Sequence, residues 1–257
     1  MAAPGLTFLM YHELELPGRP LCQPKPGYVR YVLPESVFLT QMNWLHENSW
    51  KGLSVGEALN YATEKSIAIT FDDGCETDLL AAAPILKECG FNATFYVTAG
   101  FLGKTGYLTP EQLRQLSSQG FEIGCHSMTH PYLNDLDEQG VRHEVADARS
   151  RLEDTTGKKV EHFSCPGGRY NEMTRRIVRE AGYHSLATSR AQLNTPSTDP
   201  FLLGRVTILR GIQEDDFQRI CTGQVLWKIR FGEFVRGASR KVLGNAIYDR
   251  ARAFLLR

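Results

Sequence analysis

The 257-residue chain balances 29 Lys and Arg against 29 Asp and Glu, so no net field draws it to nucleic acid or to acidic substrates, and any basic surface has to be local. Its length suffices for one well-buried core, and barrels of this size are commonly single domains. The N-terminal run Leu6 to Tyr11 has no basic residues before it and is broken by His12 and Glu13, which speaks against a signal peptide and against a spanning helix.

Leu6 to Tyr11 is the first expected strand, ending in His12, and a Pro/Gly-rich loop from Pro17 to Gly27 follows. Pro34-Glu35-Ser36 opens an amphipathic helix through about Glu47, with Val37, Phe38, Met42 and Leu45 inward. Ile67 to Phe71 is the next strand, and Leu79 to Cys89 a helix ended by Gly90. Ala93 to Val97 is a short strand. Thr109-Pro110-Glu111-Gln112 has the capping-box form with proline at the first helical position, so a helix runs to Ser118. Phe121 to Cys125 is a strand, and Asp137 to Thr156, with sparse apolar positions, a long surface helix. Strand His162 to Cys165, helix Glu172 to Ala181 and strand Ser185 to Thr188 continue the alternation, followed by strand Arg205 to Leu209 and helix Glu214 to Thr222. Such alternation implies an α/β fold on a parallel sheet, here read as a barrel.

In a parallel barrel, catalytic groups collect at the carboxyl ends of the strands, where the loops converge. Four groups sit at such ends: His12, Asp72 with Asp73, His126 with His130, and the turn Cys165-Pro166-Gly167-Gly168. Asp and Gly favour turns, so D-D-G alone carries little, and H-x-x-x-H alone is a weak metal signal. Together, each at the end of its own strand, they point to a metal site. On a helical turn the H-x-x-x-H spacing places both imidazoles on one face, and with a carboxylate they form a facial set for zinc with positions left open. Asp73 is the natural third ligand, leaving Asp72 free to take a proton from water that the metal has acidified.

Thr70-Phe71-Asp72-Asp73-Gly74 and His126-Ser127-Met128-Thr129-His130 resemble the first two motifs of the polysaccharide deacetylases, carbohydrate esterase family 4 or the NodB homology domain. The resemblance spans about Leu6 to Leu209 and implies a distorted (β/α)7-type barrel. It further implies Asp72 as catalytic base and Asp73, His126 and His130 as ligands of a divalent metal, with zinc the first expectation and Co2+, Ni2+ or Fe2+ as substitutes. Two departures stand out. The third motif reads Ser164-Cys165-Pro166-Gly167-Gly168-Arg169-Tyr170, with serine where the family has the arginine that steadies the base. Arg205 is the leading replacement and Arg169 the weaker one. The family's closing leucine-x-histidine is missing from Ile208-Leu209-Arg210, whereas Leu9-Met10-Tyr11-His12 ends the first strand with a histidine. This resembles the permuted deacetylases of poly-N-acetylglucosamine, in which the acid-bearing strand comes first, because the first and last strands of a closed barrel are neighbours. His12 is accordingly the expected general acid.

The implied reaction is hydrolysis of the N-acetyl group of an N-acetylated sugar in a glycan or lipid-linked glycan precursor. A backbone N–H of the Gly74-Cys75 region is the expected oxyanion donor, with Pro166, Gly167, Gly168 and Tyr170 as substrate contacts. Tyr132, Phe101 and Tyr107 either stack on sugar faces or cover the edge of the core. Rival readings are a cyclic-amide hydrolase using the same site and a non-catalytic carbohydrate-binding protein.

The six cysteines, Cys22, Cys75, Cys89, Cys125, Cys165 and Cys221, contain no C-x-x-C pair and read as buried, reduced thiols of a cytoplasmic protein. The expected domains are a barrel over residues 1–223 and a basic amphipathic helical extension over 224–257. Trp227, Phe231 and Phe234 alternate there with Lys228, Arg230 and Arg236, the composition of a segment on an anionic membrane surface or of an ordinary terminal helix with a solvated basic face. A membrane position at the inner face would bring lipid-linked saccharides within reach. No nucleic-acid partner is expected, and nothing in the sequence sets an oligomeric state.

Overall fold

The computed structural model describes residues 5–224, so the helical extension expected over 224–257 lies, but for its first residue, outside the described residues. The chain opens with β1 (Phe8–Tyr11) and β2 (Leu14–Glu15), then α1 (Pro26–Val29), β3 (Leu33–Pro34), α2 (Glu35–Glu47), β4 (Lys51–Leu53), α3 (Val55–Tyr61) and β5 (Ser66–Asp73). Alternation follows through α4 (Ala83–Glu88), β6 (Thr94–Val97), α5 (Pro110–Ser118), β7 (Glu122–Cys125), α6 (Glu138–Arg142), α7 (Ala148–Thr156), β8 (His162–Ser164), α8 (Glu172–Glu180), β9 (Ser185–Ala187), β10 (Val206–Thr207) and α9 (Glu214–Cys221). β2 and β3 form a separate small parallel pair.

The main sheet is parallel, in the order β10-β1-β5-β6-β7-β8-β9, with Leu9 of β1 opposite both Val206 and Ile69. Its two ends meet through a single parallel bridge, Ala187 to Leu203, with the Leu203 N–H donating to Leu186 and the Thr188 N–H to Leu203. The segment from Leu203 to Thr207 therefore starts beside β9 and finishes beside β1, curling the sheet into a distorted barrel as expected. The distortion has a plain cause: β10 is two residues long, so closure rests on few ladder bonds.

β5 is buried over all eight residues, as parallel strands covered on both faces are. Its period of two separates two apolar groups. Ile67, Ile69 and Phe71 join the large core under the helices, whereas Ala68 joins Phe8, Tyr96 and Leu203 in the interior of the barrel. Asp72 is in register with Ala68 and so heads into the barrel. The strand extends through both aspartates, beyond the expected end at Phe71, because Asp72 and Asp73 still pair with Tyr96 and Val97 of β6.

The capping box at Thr109 forms as expected, with Thr109 Oγ1 accepting from the Gln112 N–H at 3.1 Å and Gln112 Oε1 from the Thr109 N–H at 2.8 Å. Two expected helices differ in detail. The one over Leu79 to Cys89 begins as a π-helical stretch, Asp78–Ala82, before α4, and the one over Asp137 to Thr156 is interrupted by another, His143–Asp147, between α6 and α7. Such wide turns rotate the helix face. The second brings Glu144, on the stripe of Val141 and Ala148, into the protein instead of leaving a purely solvated face.

Phe71 is fully buried between Tyr11 and Phe95, ring centroids 5.2 and 5.1 Å away, with Phe38 edge-on at 5.4 Å. Replacing it with alanine should cost about 3–5 kcal/mol of stability, read as a lower denaturant midpoint at unchanged slope.

Candidate active site

Adjacent residues of a strand point to opposite faces, so Asp72 and Asp73 would ordinarily diverge. Here Asp73 takes a left-handed backbone, φ 82°, which turns its carboxylate back toward the mouth of the barrel. The same device shapes the second motif. His126 to His130 is an irregular turn, not the helical turn expected from the spacing, and Ser127 (φ 69°) and His130 (φ 66°) are both left-handed. Conformations of this kind cost about 1–3 kcal/mol each and persist only where the surroundings enforce them. Enforcement comes from Glu144, buried in the kinked helix, whose carboxylate accepts from the N–H groups of Met128 and Thr129 and from the Thr129 hydroxyl at 2.6–2.9 Å. Ser127 Oγ accepts from the His130 N–H at 3.0 Å.

The side chains converge. His126 Nε2 lies 3.6 Å and His130 Nε2 3.3 Å from Asp73 Oδ1. His126 Nδ1 is 2.9 Å from the Ser164 carbonyl; a carbonyl only accepts, so Nδ1 carries the proton and Nε2 offers its lone pair to the site. Burial pushes the His126 pKa down to about 4, so the ring is neutral at pH 7. Burial alone would raise the Asp73 pKa, but His130, and then His12 and His126, more than offset it and hold the group ionised. Asp73 Oδ1 is buried yet accepts no hydrogen bond. A buried, charged oxygen facing two imidazole nitrogens calls for a cation. Two oxygen or nitrogen ligands about 2.0–2.1 Å from a tetrahedral zinc are about 3.3 Å apart, so Asp73, His126 and His130 fit a divalent metal.

Asp72 has a different partner. Arg205, essentially inaccessible, clamps it with Nη1 at 2.6 Å from Oδ1 and Nη2 at 2.8 Å from Oδ2. The guanidinium is itself satisfied by Thr70 Oγ1 at 3.1 Å, Ser164 Oγ at 2.7 Å and the Thr188 carbonyl at 3.0 Å. Burial acts to raise the Asp72 pKa, but Arg205 and then His126 outweigh it and keep the carboxyl below its usual range. Ser164, the third-motif departure, leaves room for an arginine arriving from the closing segment and bonds to it. Arg169 lines the same cavity, but its guanidinium stacks 3.6 Å from the centre of the Tyr132 ring.

Asp72, Asp73, His126, His130, His12 and Arg205 all line one cavity of about 520 Å3. His12 Nδ1 is buried without a hydrogen-bond partner, and its ring lies 4.8 Å from that of Tyr31. Of the expected substrate contacts, Gly167 and Gly168 line the cavity, as do Phe101 and Tyr132, whereas Gly74, Cys75, Pro166 and Tyr170 are not among its lining residues. Pro166 is buried, Tyr170 packs on the core, and Tyr107 is buried against Phe101 at 4.7 Å. The sequence reading singled out Ser164 as a departure without assigning its bond to Arg205, and it missed Glu144, although an acid on an apolar helix stripe was a usable signal. It also missed the loop bearing Lys25, Tyr28, Arg30 and Tyr31, which forms one wall. A separate cavity of about 620 Å3, at the amino ends of the strands beside Trp50, Phe91 and Phe121, holds none of these groups.

A parallel barrel that gathers two ionised aspartates and three imidazoles at the carboxyl ends of its strands defines a hydrolytic type of site. The sequence pattern of the polysaccharide deacetylases matches residues 60–186. Bacillus subtilis YxkH, named for the same family, is 30% identical over 218 residues, covering 82% of this chain and 74% of that protein. The chain belongs to the polysaccharide deacetylase family. The poly-beta-1,6-N-acetyl-D-glucosamine N-deacetylase of Staphylococcus aureus is 23% identical over 209 residues, 74% of this chain and 71% of that one. The fold is shared with the Streptococcus pyogenes deacetylase PplD, at a TM-score of 0.76 and 22% identity, over 85% of this chain and 99% of that one.

Removing one partner of a buried ion pair strands the other, so Arg205→Met should destabilise the protein by about 3–5 kcal/mol at neutral pH. Adding Asp72→Asn should recover much of that loss, giving a large coupling in a double-mutant cycle. Because the folded Asp72 pKa is depressed, its stabilisation is full above the unfolded carboxylate pKa and fades as pH falls through the folded value, so the cost of Arg205→Met should shrink toward acid pH.

Proposed function

We propose that this protein is a metal-dependent hydrolase that removes the acetyl group from an N-acetylated sugar of a polysaccharide or glycan precursor, releasing acetate. The observation that carries the reading is the orphaned, buried Asp73 Oδ1 between His126 Nε2 and His130 Nε2, next to an aspartate held ionised by Arg205. Family membership and the activity named for the Staphylococcus relative support the same chemistry.

Asp73, His126 and His130 would hold the metal, with zinc favoured by the two-imidazole, one-carboxylate set. When bound, that ion polarises the acetamide carbonyl and lowers the pKa of water. Asp72 accepts the proton of the attacking water, and Arg205 keeps it charged and aimed for that task. His12, which follows the neighbouring strand β1, delivers a proton to the departing sugar nitrogen. Phe101 and Tyr132 provide apolar faces for a sugar ring. The intact acid and histidine set disfavours a vestigial binding protein, and the permuted His12 favours the glycan over the cyclic-amide reading.

Acetate release from N-acetylglucosamine oligomers, peptidoglycan fragments and lipid-linked saccharides, with and without chelator, tests the activity. Asp72→Asn should lower turnover by about 10²–10⁴-fold while bound metal stays nearly stoichiometric. Asp73→Asn and His130→Ala should lose metal and activity together. Loss of metal from Asp72→Asn would overturn the division of roles.

Residues 224–257 are further proposed as a basic amphipathic extension that brings a cytoplasmic enzyme to the inner membrane face. The full chain should co-sediment with anionic liposomes better than a chain ending at Thr222, and equal binding would refute the idea.

A further inference from the structure

A second group of ligating side chains lies beside the cavity and takes no part in the reaction above. Glu13 follows His12, Cys75 follows Asp72-Asp73-Gly74, and Cys22 lies on the loop that contributes Gln23, Lys25 and Tyr28 to the cavity wall. One carboxylate oxygen of Glu13 and the sulfurs of Cys22 and Cys75 all lie within 4.8 Å of one another. Among the described residues, only this trio and the Asp73 set meet that condition. A tetrahedral zinc with Zn–S of about 2.3 Å and Zn–O of about 2.0 Å needs ligand-to-ligand edges of about 3.5–3.8 Å, so modest side-chain rotation suffices to close the trio on one ion.

Among the described residues, no ion pair reaches Glu13 or Asp78. Glu13 is buried, and the donors to its carboxylate are neutral: the Cys22 N–H at 3.0 and 3.1 Å, and the Tyr28 hydroxyl and Cys22 thiol. Asp78, whose N–H bonds the Cys75 carbonyl, is also buried, and neither of its carboxylate oxygens has a hydrogen-bond partner. Arg19 and Arg210, on neighbouring segments, are spent on Glu76 and Glu15. Burying two acids without a counter-charge is costly, and a cation is what would offset it. The approach of the loop is itself specific. Gly106 is left-handed, φ 86°, and a Cβ there would meet Cys22 Sγ at 2.9 Å, so glycine lets that sulfur reach the Gly106 carbonyl, also 2.9 Å away. The Tyr28 hydroxyl stands 3.4 Å from Cys75 Sγ.

We propose that Glu13, Cys22 and Cys75 form a second metal site, selective for a thiophilic divalent cation of the zinc and cadmium class and separate from the Asp73 site. Two thiolates and one carboxylate favour softer ions than the imidazole and carboxylate set does. Each thiol gives up its proton to solvent as it takes the ion. Occupied, the site ties the Cys22 loop, and with it Tyr28, to the strand ends that carry His12 and Asp73, so it positions one wall of the cavity.

The test is titration of the reduced, metal-free full chain with Cd2+, following stoichiometry and thiolate-to-metal charge-transfer absorbance. The native protein should take two equivalents and develop the band. Asp73→Asn should keep one equivalent and the band, whereas Cys22→Ser and Cys75→Ser should each keep one equivalent and lose it. Should Cys75→Ser fail to fold, Cys22→Ser, on the surface loop, gives the same reading. A native chain without the band, a band that survives both serine variants, or a Cys22–Cys75 disulfide whose reduction restores no thiolate binding would overturn the proposal.

Discussion

The pair of Asp72 and Arg205 is what the centre of the barrel is built to hold. Both groups are buried, and taking two charges out of water costs several kcal/mol each unless geometry and extra hydrogen bonds return it. Here they do: two short bonds between the ions, and three more from the guanidinium to Thr70, Ser164 and Thr188. Those partners come from β5, β8 and the end of β9, while Arg205 precedes β10. One guanidinium thus ties the closing segment to both sides of a sheet that only one bridge completes. Closure of the barrel and ionisation of Asp72 are the same event seen from two ends.

The second constraint is backbone strain, and it falls where the chemistry is. Asp73, Ser127 and His130 are three of the four left-handed residues other than glycine among those described. Relaxing Asp73 to an ordinary strand conformation would turn its carboxylate away from the imidazoles, and relaxing the turn would separate His126 from His130. Glu144 opposes this by spending a buried carboxylate on three donors of that turn. The π-helical stretch that carries Glu144 is therefore part of the site's framework, although it lies on a helix whose sequence reads as surface.

Much of this was legible beforehand, for physical reasons that vary by element. The alternation of buried strands and capped helices fixes a parallel α/β fold, and Thr109-Pro110-Glu111-Gln112 encodes its own helix start. The convergence of Asp73, His126 and His130 was readable because each of the three is local to a strand end. Arg205 was legible only through the resemblance, as the arginine that could stand in for the one Ser164 replaces; its direct bond to Ser164, 41 positions away, is a contact that the fold displays. Short elements such as β2, β3, β4 and α1 were not legible, since two to four residues carry too little periodicity. The helical geometry inferred for H-x-x-x-H failed for a related reason, because the same spacing is met by a turn once two residues adopt positive φ.

The position of His12 shows how barrel topology loosens the link between motif order and site geometry. β1 pairs with β5 on one side and with β10 on the other, Met10 lying opposite both Thr70 and Thr207. A histidine two residues beyond Met10 therefore reaches the mouth beside the Asp72 strand, much as a residue following β10 would. Neighbourhood in a closed sheet is set by pairing, so a general acid can be supplied from either end of the chain without moving in space. The arrangement carries a consequence for the first loop. Because β1 delivers His12 to the cavity, the loop after it supplies Gln23, Lys25, Gly27, Tyr28, Arg30 and Tyr31 to the cavity wall. Cys22 is held to Gly106, Tyr28 to Cys75 and Glu13 to Cys22, and the Gly106 carbonyl in turn accepts from the Glu76 N–H, so the loop is tied both directly and through Gly106 to the segment following the two aspartates.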